Sequence, residues 1–293
     1  VIYLADSNQK KILVTGSSGQ LGTELANTEF SGNFTMLALD RSRLDITNKS
    51  QIKRVFEDYR PDFIVNAAAY TAVDKAEIEP DKARLVNHLG IENLVSASHN
   101  HDAKLIHIST DYVFDGLRDT TDRWYQESDI TNPMNVYGQT KLAGEQAALQ
   151  LNDSIVLRTS WVYSPYGSNF VHTMLRLASE GKDLKVVADQ LGCPTSAVDI
   201  ANVINKIIET GMDESGLFHC ASTTDASWWD FAKQIVDLSG FDVDVAKLTT
   251  DEYPLPAKRP ADTRMSSKKL DEAYGIDCGL WQDSLKATIK NIL

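Results

Sequence analysis

Residues 11–22 read KILVTGSSGQLG, and this stretch decides the fold. Lys11–Thr15 is a short, apolar, β-branched run, the pattern of a buried strand. It stops at Gly16. Gly16, Gly19 and Gly22 then space a tight turn that leads into a helix predicted over Gln20–Asn27. Such a turn lets backbone N–H groups approach an anion, and the helix start adds its positive partial charge. The spacing is GxxGxxG rather than GxGxxG. A strand before it and a helix after it are the context in which this motif holds a dinucleotide pyrophosphate.

Working outward, strands alternate with helices and no hairpin signal intervenes. Strands are predicted at Thr35–Leu39, Phe63–Val65, Lys104–Ile108 and Ile155–Arg158. Helices are predicted from about Lys49 to Tyr59, Asp81 to Ser98 and Val136 to Gln150. This alternation predicts an α/β fold, a Rossmann-like doubly wound parallel sheet. Right-handed crossovers place the loops Gly16–Gly22, Asn66–Ala69, Ser109–Phe114 and Thr159–Tyr163 along one sheet edge.

Past Tyr163, prolines 165, 194, 254, 256 and 260 break the pattern into short elements, with helices expected near 197–209, 227–239 and 282–291. The expected division is a dinucleotide-binding domain over 11–163, to which elements of about 184–210 return. A smaller substrate lobe is expected from 164–183 and 211–293.

The chain has 293 residues and a formal net charge of -12. That acidity argues against nucleic acid as a partner, because phosphate neutralisation needs clustered Lys and Arg. The cysteines, Cys193, Cys220 and Cys278, are three and far apart, which predicts reduced thiols in a cytoplasmic protein. No apolar run reaches the roughly 18 residues of a membrane span. The opening Val1–Ala5 is halted by Asp6 and does not read as a signal peptide.

Two further sites carry chemistry. The second strand ends at Asp40-Arg41. An acid there can bind the adenosine ribose, favouring NAD(H), whereas an adjacent arginine can face a 2′-phosphate, permitting NADP(H). Tyr137 and Lys141 lie four apart on a predicted helix and so share a face. The ammonium is expected to lower the phenol's pKa and fit it for proton exchange with a carbonyl oxygen. A hydroxyl from the Ser109-Thr110-Asp111 loop could hydrogen-bond that oxygen.

Around these residues stand NAAAYTAVDKAE at 66–77, STDYVFDG at 109–116, NVYGQTKLAGE at 135–145, RTSWVY at 158–163, ADQLGCPT at 188–195 and KRP at 258–260. With the glycine loop, they resemble the extended short-chain dehydrogenase/reductases, over a span from about Lys11 to the C-terminus. Within these the likeness is greatest to the reductases of dTDP-4-dehydro-L-rhamnose. The resemblance implies reduction of a nucleotide-sugar C4 ketone with NAD(P)H. In that reaction Tyr137 protonates the oxygen, Lys141 holds the nicotinamide ribose, Thr110 polarises the carbonyl and Asp111 assists as a sugar-side or positioning group. It implies Gly16, Ser18, Gly19, Gln20, Leu21, Gly22, Asp45, Ile46, Ala67, Ala68 and Ala69 along the cofactor.

Tyr70, Thr71, Trp161, Asn169 and Arg259 are implied contacts of the sugar or its nucleotide. Trp161 could instead pack a lobe interface, and Asn169 could instead cap a helix over Phe170–Ala178. The resemblance also implies a homodimer, and in some members Mg²⁺ held by glutamates. Glu24 fits one such position, but Asp199 stands where a second glutamate is wanted, so no metal is expected. The alternatives are an epimerase or dehydratase of the same fold, or a non-catalytic regulatory subunit. A dehydratase wants an Asp-Glu pair after the threonine, and here Asp111-Tyr112 follows.

Overall fold

The computed structural model describes residues 9–30, 33–117 and 123–293. The opening stretch Val1–Ala5 lies outside the described residues. The first half of the chain runs β1 (Lys10–Thr15), α1 (Gln20–Asn27), β2 (Phe34–Leu39), α2 (Lys49–Tyr59) and β3 (Phe63–Asn66). The short α3 (Val73–Ala76) and α4 (Pro80–Arg84) follow, then a π turn at Leu85–Leu89, α5 (Gly90–Asn100) and β4 (Lys104–Thr110). α6 (Val136–Ala148) and β5 (Ser154–Thr159) close this half.

Six parallel strands form the main sheet in the order β2-β1-β3-β4-β5-β10, where β10 is Gly216–His219. From β1 the chain crosses one way to β2 and the other way to β3. Their carboxyl ends therefore open a crevice at the switch point. Alternate residues of each strand serve opposite faces. Ile12 and Val14 pack with Leu21, Leu25, Ile200 and Ile204 on one side, while Leu13 packs with Ile52, Phe56, Ile91 and Leu94 on the other.

Later elements build the second lobe and return to the sheet. They are β6 (Val162–Tyr163), α7 (Phe170–Ser179), β7 (Leu184–Val187), β8 (Leu191–Gly192), β9 (Thr195–Ser196) and α8 (Ala197–Glu209). β10, β11 (Ala226–Ser227), α9 (Trp228–Ser239), β12 (Val245–Leu248), α10 (Lys268–Tyr274) and α11 (Trp281–Ile292) complete the chain. The lobe core joins Val171, Met174 and Leu175 of α7 to Phe231 and Ile235 of α9 and to Trp281 and Leu285 of α11.

The interleaving differs from the expected boundaries. β7 pairs with β12 and packs in the lobe, although 184–187 was expected to return to the sheet. β10 lies inside the stretch expected to be lobe, yet it pairs with β5 as the sixth strand of the sheet. α10 covers it, with Leu270 and Tyr274 packed against the sheet-side core. Four residues that open on Gly216 just after two acids carry too little periodicity to betray an edge strand.

The helix predicted over Asp81–Ser98 widens into the π turn at its middle. Asn87 sits there with its amide accepting from Tyr70 N and donating to Tyr70 O and Thr140 Oγ1. A Cβ at Gly144 would lie 2.1 Å from Asn87 O, so only glycine lets α6 come this close. Among the described residues, no helix is long and apolar enough to cross a membrane.

Candidate active site

At Gly16 φ is +71°, and a Cβ there would stand 2.6 Å from Ala68 N. At Gly22 a Cβ would come within 2.2 Å of Gly16 O. Gly16 thus lets the loop turn against β3, while Gly22 packs the helix onto the loop and lines neither cavity described here. Gly19 caps α1 without any side-chain hydrogen bond. The first-turn N–H groups are left for a ligand, as an anion site requires.

Two cavities meet at this loop. The larger, about 450 Å³, is lined by Ser18, Gly19, Gln20, Leu21, Ala67, Ala68, Ala69, Thr71, Thr110, Asp111, Tyr137, Lys141 and Trp161 among others. The smaller, about 210 Å³, is lined by Gly16, Ser18, Gly19, Arg41, Asp45, Ile46, Ala67, Ala68, Ala69 and Tyr70 among others. Shared walls at Ser18, Gly19 and Ala67–Ala69 make them two halves of one crevice around the helix start. Its size and its uncapped N–H groups fit a dinucleotide.

Asp40 departs from expectation. Its Oδ1 accepts from Ser42 N, Ser42 Oγ and Arg43 N. The carboxylate closes the turn after β2, those bonds hold it below the usual range, and it lines neither cavity. Arg41 does line the smaller half, exposed, with Nε 3.3 Å from Asp45 Oδ2.

In the larger half Tyr137 and Lys141 rise from α6, whose N-cap Asn135 bonds Gly138 N and reaches Lys258 O. Lys141 is buried, and its Nζ donates to Ile108 O at 2.5 Å. Burial brings the ammonium down to about 8, with the Glu145 carboxylate opposing the shift. Tyr137 faces the cleft and hydrogen-bonds with Thr110. Desolvation lifts its phenol to about 12; the Thr110 bond opposes this and nearby Asp111 adds to it. The expectation that Lys141 lowers this pKa is thus corrected: burial dominates, and the phenol keeps its proton at neutral pH.

Asp111 lies beneath, its carboxylate accepting from Thr110 Oγ1 at 3.0 Å, Ser160 Oγ at 3.1 Å and Thr263 Oγ1 at 2.6 Å. Burial raises it to about 6 despite these three bonds. It ties the end of β4 to the loop after β5 and to the later lobe segment, and so positions Thr110.

The expected sugar-side residues divide. Thr71 and Trp161 line the larger half. Trp161 is held at φ +47°. Its ring stacks on Trp228 at 3.7 Å and lies over Gly192, where a Cβ would clash at 2.5 Å. A bulky residue in the left-handed region persists only where its surroundings over-determine it, as they do here. It both packs the lobe and faces the cleft.

Tyr70 lines the smaller half instead, and its hydroxyl donates to Glu79. Asn169 caps α7 through His172 N, and its amide donates to Gln20 Oε1 and Ser164 O. Its polar atoms are spent on the fold. Arg259 grips Asp74 through two bonds of 2.6 and 2.7 Å and lines neither half. In this arrangement it latches α3 to the lobe and also bonds with Tyr112.

Glu24 is half-buried, raised by desolvation and bonded with Ser164. Among the described residues no group of three His, Cys, Asp or Glu side chains could hold a metal ion.

Two buried networks underlie the site. Thr15 Oγ1 donates to Asn66 Oδ1, and Asn66 Nδ2 meets His107 Nδ1 at 3.0 Å, linking β1, β3 and β4 under the crevice floor. Glu145 on α6 takes both Arg158 of β5 and the Ser109 hydroxyl. A charge inside the apolar strand IVLRT and an acid one further turn along the Tyr137/Lys141 face were the available signals.

Comparison with known proteins agrees with this geometry. The model of the RmlD substrate binding domain family matches residues 10–293. The dTDP-4-dehydrorhamnose reductase of Aggregatibacter actinomycetemcomitans is 43% identical, with 94% of this chain and 97% of the relative covered. The solved dTDP-4-dehydrorhamnose reductase of Clostridium acetobutylicum superposes with a TM-score of 0.90 at 41% identity, covering 96% of this chain and 98% of that one. The Bacillus anthracis reductase, solved in complex with NADP, gives 0.90 at 38% identity over 96% and 99%. A UDP-glucose 4-epimerase of Thermus thermophilus shares the fold at 18% identity and TM-score 0.83. On its sequence, its sheet and its site, this chain belongs to the dTDP-4-dehydrorhamnose reductase family.

Proposed function

We propose that the protein reduces the C4 ketone of dTDP-4-dehydro-L-rhamnose to dTDP-L-rhamnose with NADPH or NADH. The observation that carries this reading is the meeting of Tyr137, Thr110 and Lys141 on one cavity wall, beside the uncapped start of α1. Ser18, Gly19 and the first turn of α1 would hold the pyrophosphate, with adenosine in the Arg41/Asp45 half. The bound dihydronicotinamide supplies the hydride.

Everything else falls to the protein's side chains. Thr110, whose hydroxyl turns from Asp111 Oδ1 to the bound sugar, orients and polarises the carbonyl. Tyr137, protonated because it is desolvated, delivers its proton to the C4 oxygen as negative charge develops there. Lys141, anchored on Ile108 O, holds the ribose and stabilises the phenolate left behind. Trp161, Trp228 and the lobe cover the sugar side and exclude water.

The dehydratase reading finds no support in the residues after Thr110, since Tyr112 and not a glutamate follows Asp111, whose carboxylate is held by three hydroxyls. The three cysteines are buried free thiols, which suits a cytoplasmic enzyme. The test supplies dTDP-4-dehydro-L-rhamnose, follows NADPH and NADH absorbance separately and identifies the sugar product. Stoichiometric oxidation with dTDP-L-rhamnose as product supports the reading. Tightly retained NAD with no net consumption of reduced cofactor would overturn it in favour of an epimerase.

A further inference from the structure

The column Tyr137, Lys141, Glu145 runs up one face of α6 at successive turns. Its third member is almost sealed from solvent, at 1% exposure. Glu145 Oε1 accepts from Ser109 Oγ at 2.5 Å and from Arg158 Nε at 2.9 Å, and Oε2 accepts from Arg158 Nη2 at 2.8 Å. Arg158 is itself 3% exposed and lies 5.0 Å over the Phe114 ring. In the sheet register Ser109 stands opposite Arg158, and Thr110 opposite Thr159. One carboxylate therefore joins the helix that carries the proton donor to the strand end that carries the carbonyl-polarising hydroxyl.

A fold alone does not explain this arrangement. A buried ion pair is weak evidence for stability, because an apolar pair of similar volume often does as well. What an apolar pair could not do is place a negative charge one turn from Lys141. Buried cations row up here: Lys141 on one side of Glu145 and Arg158 on the other.

We infer that Glu145 is a positioning residue for the proposed reduction, holding Lys141 in its charged form and locking the Ser109–Thr110 strand end to the Tyr137 helix. The inference rests on that reading for its chemistry, but the charge effect exists without substrate. Around Lys141, α6 gives Tyr137 and Glu145, β4 gives His107 and, at its end, Asp111, the turn after it gives Tyr112, and β5 gives Arg158. α3, α4 and α5 also pack on α6, and their charged residues are exposed or half-buried. His107 is fully buried and kept neutral by desolvation and by Lys141. The π turn packed on α6 presents the uncharged Asn87, and its His88–Glu92 pair lies towards the surface. Among these, Glu145 is the group that opposes the desolvation of Lys141.

The test reads Lys141 directly. Full-length protein carrying ¹³C,¹⁵N-lysine is titrated by NMR, and the Lys141 signal is identified by its loss in Lys141→Met. In Glu145→Gln the midpoint should fall by roughly one unit or more, since an opposite charge has left. In Arg158→Met it should rise by roughly one unit, because Glu145 is freed from its competing cation. A merely structural role moves the two variants alike or moves neither, and either result overturns the proposal. If Glu145→Gln does not fold, Arg158→Met decides: an upward shift supports the proposal, while no shift or a downward one refutes it. Wild-type turnover is measured in parallel. Its absence would count against the proposed reaction and leave the titration to judge Glu145 separately.

Discussion

Replacing Asp111 by asparagine should stabilise the fold at pH 8 and lose that advantage at pH 5. Burial lifts the native carboxyl from 3.8 to about 6. Its native pKa is raised, so between those values the native state binds more protons than the unfolded chain, and stability falls as pH rises through this window. The shift is roughly two units, so by pH 8 ionisation costs the native state about 3 kcal/mol. Asparagine keeps the volume and cannot ionise. It accepts fewer bonds from the Thr110, Ser160 and Thr263 hydroxyls, which removes about 1 kcal/mol of the gain.

The net expectation at pH 8 is about 2 kcal/mol of stabilisation, or roughly 3 °C in Tm for a chain of this size. At pH 5 the wild-type carboxyl is mostly protonated and the variant should be level with it or weaker. Thermal unfolding of both proteins at pH 5 and pH 8, with urea titration as a second probe, reads the difference. Two curves separated by the same amount at both pH values would refute the argument, because burial of Asp111 would then carry no linked proton.

Four further outcomes follow from the same geometry. Tyr137→Phe should lower kcat by roughly 10²–10⁴-fold while NADPH still binds, read by steady-state rates and cofactor fluorescence. The kcat/KM profile should lose activity as pH rises through about 8, where buried Lys141 gives up the charge its role needs; a flat profile from pH 7 to 9 would speak against that role. Arg41→Ala should weaken NADPH binding about tenfold and NADH binding little, as calorimetry with both cofactors would measure. Gly22→Ala must push the glycine loop away from a contact of 2.2 Å; it should cost about 1–3 kcal/mol of stability and most cofactor affinity, seen by thermal unfolding with and without NADP⁺.

Much of the sheet was legible because its strands announce themselves. Lys11–Thr15 is a continuous apolar run after its lysine, Lys104–Ile108 is apolar but for Lys104 and His107, and each gives way to a glycine or hydroxyl-rich loop. The loops after parallel strands converge by handedness alone, so Gly19, Thr110, Tyr137 and Lys141 could be brought together before any coordinates. β10 was not legible, since four residues pairing with β5 across 61 positions leave no local period.

Partnership was the other hidden quantity. Arg259, readable as a clamp for pyrophosphate, is paired with Asp74, far away in sequence. Asp40, readable as a ribose ligand, also closes its own turn through Oδ1. The sign of the Tyr137 shift was hidden for the same reason: a neighbouring lysine is visible in YGQTK, but the depth of burial that outweighs it is a property of the assembled lobes.

Reduction as proposed requires Tyr137 to face the ketone that receives the hydride, and a crystal structure with NADP⁺ and dTDP-L-rhamnose bound tests this most directly. The sugar O4 should lie within about 2.6–3.2 Å of both Tyr137 Oη and Thr110 Oγ1, with C4 against the nicotinamide ring. A sugar seated with O4 turned away from Tyr137, towards solvent or another acid, would contradict it.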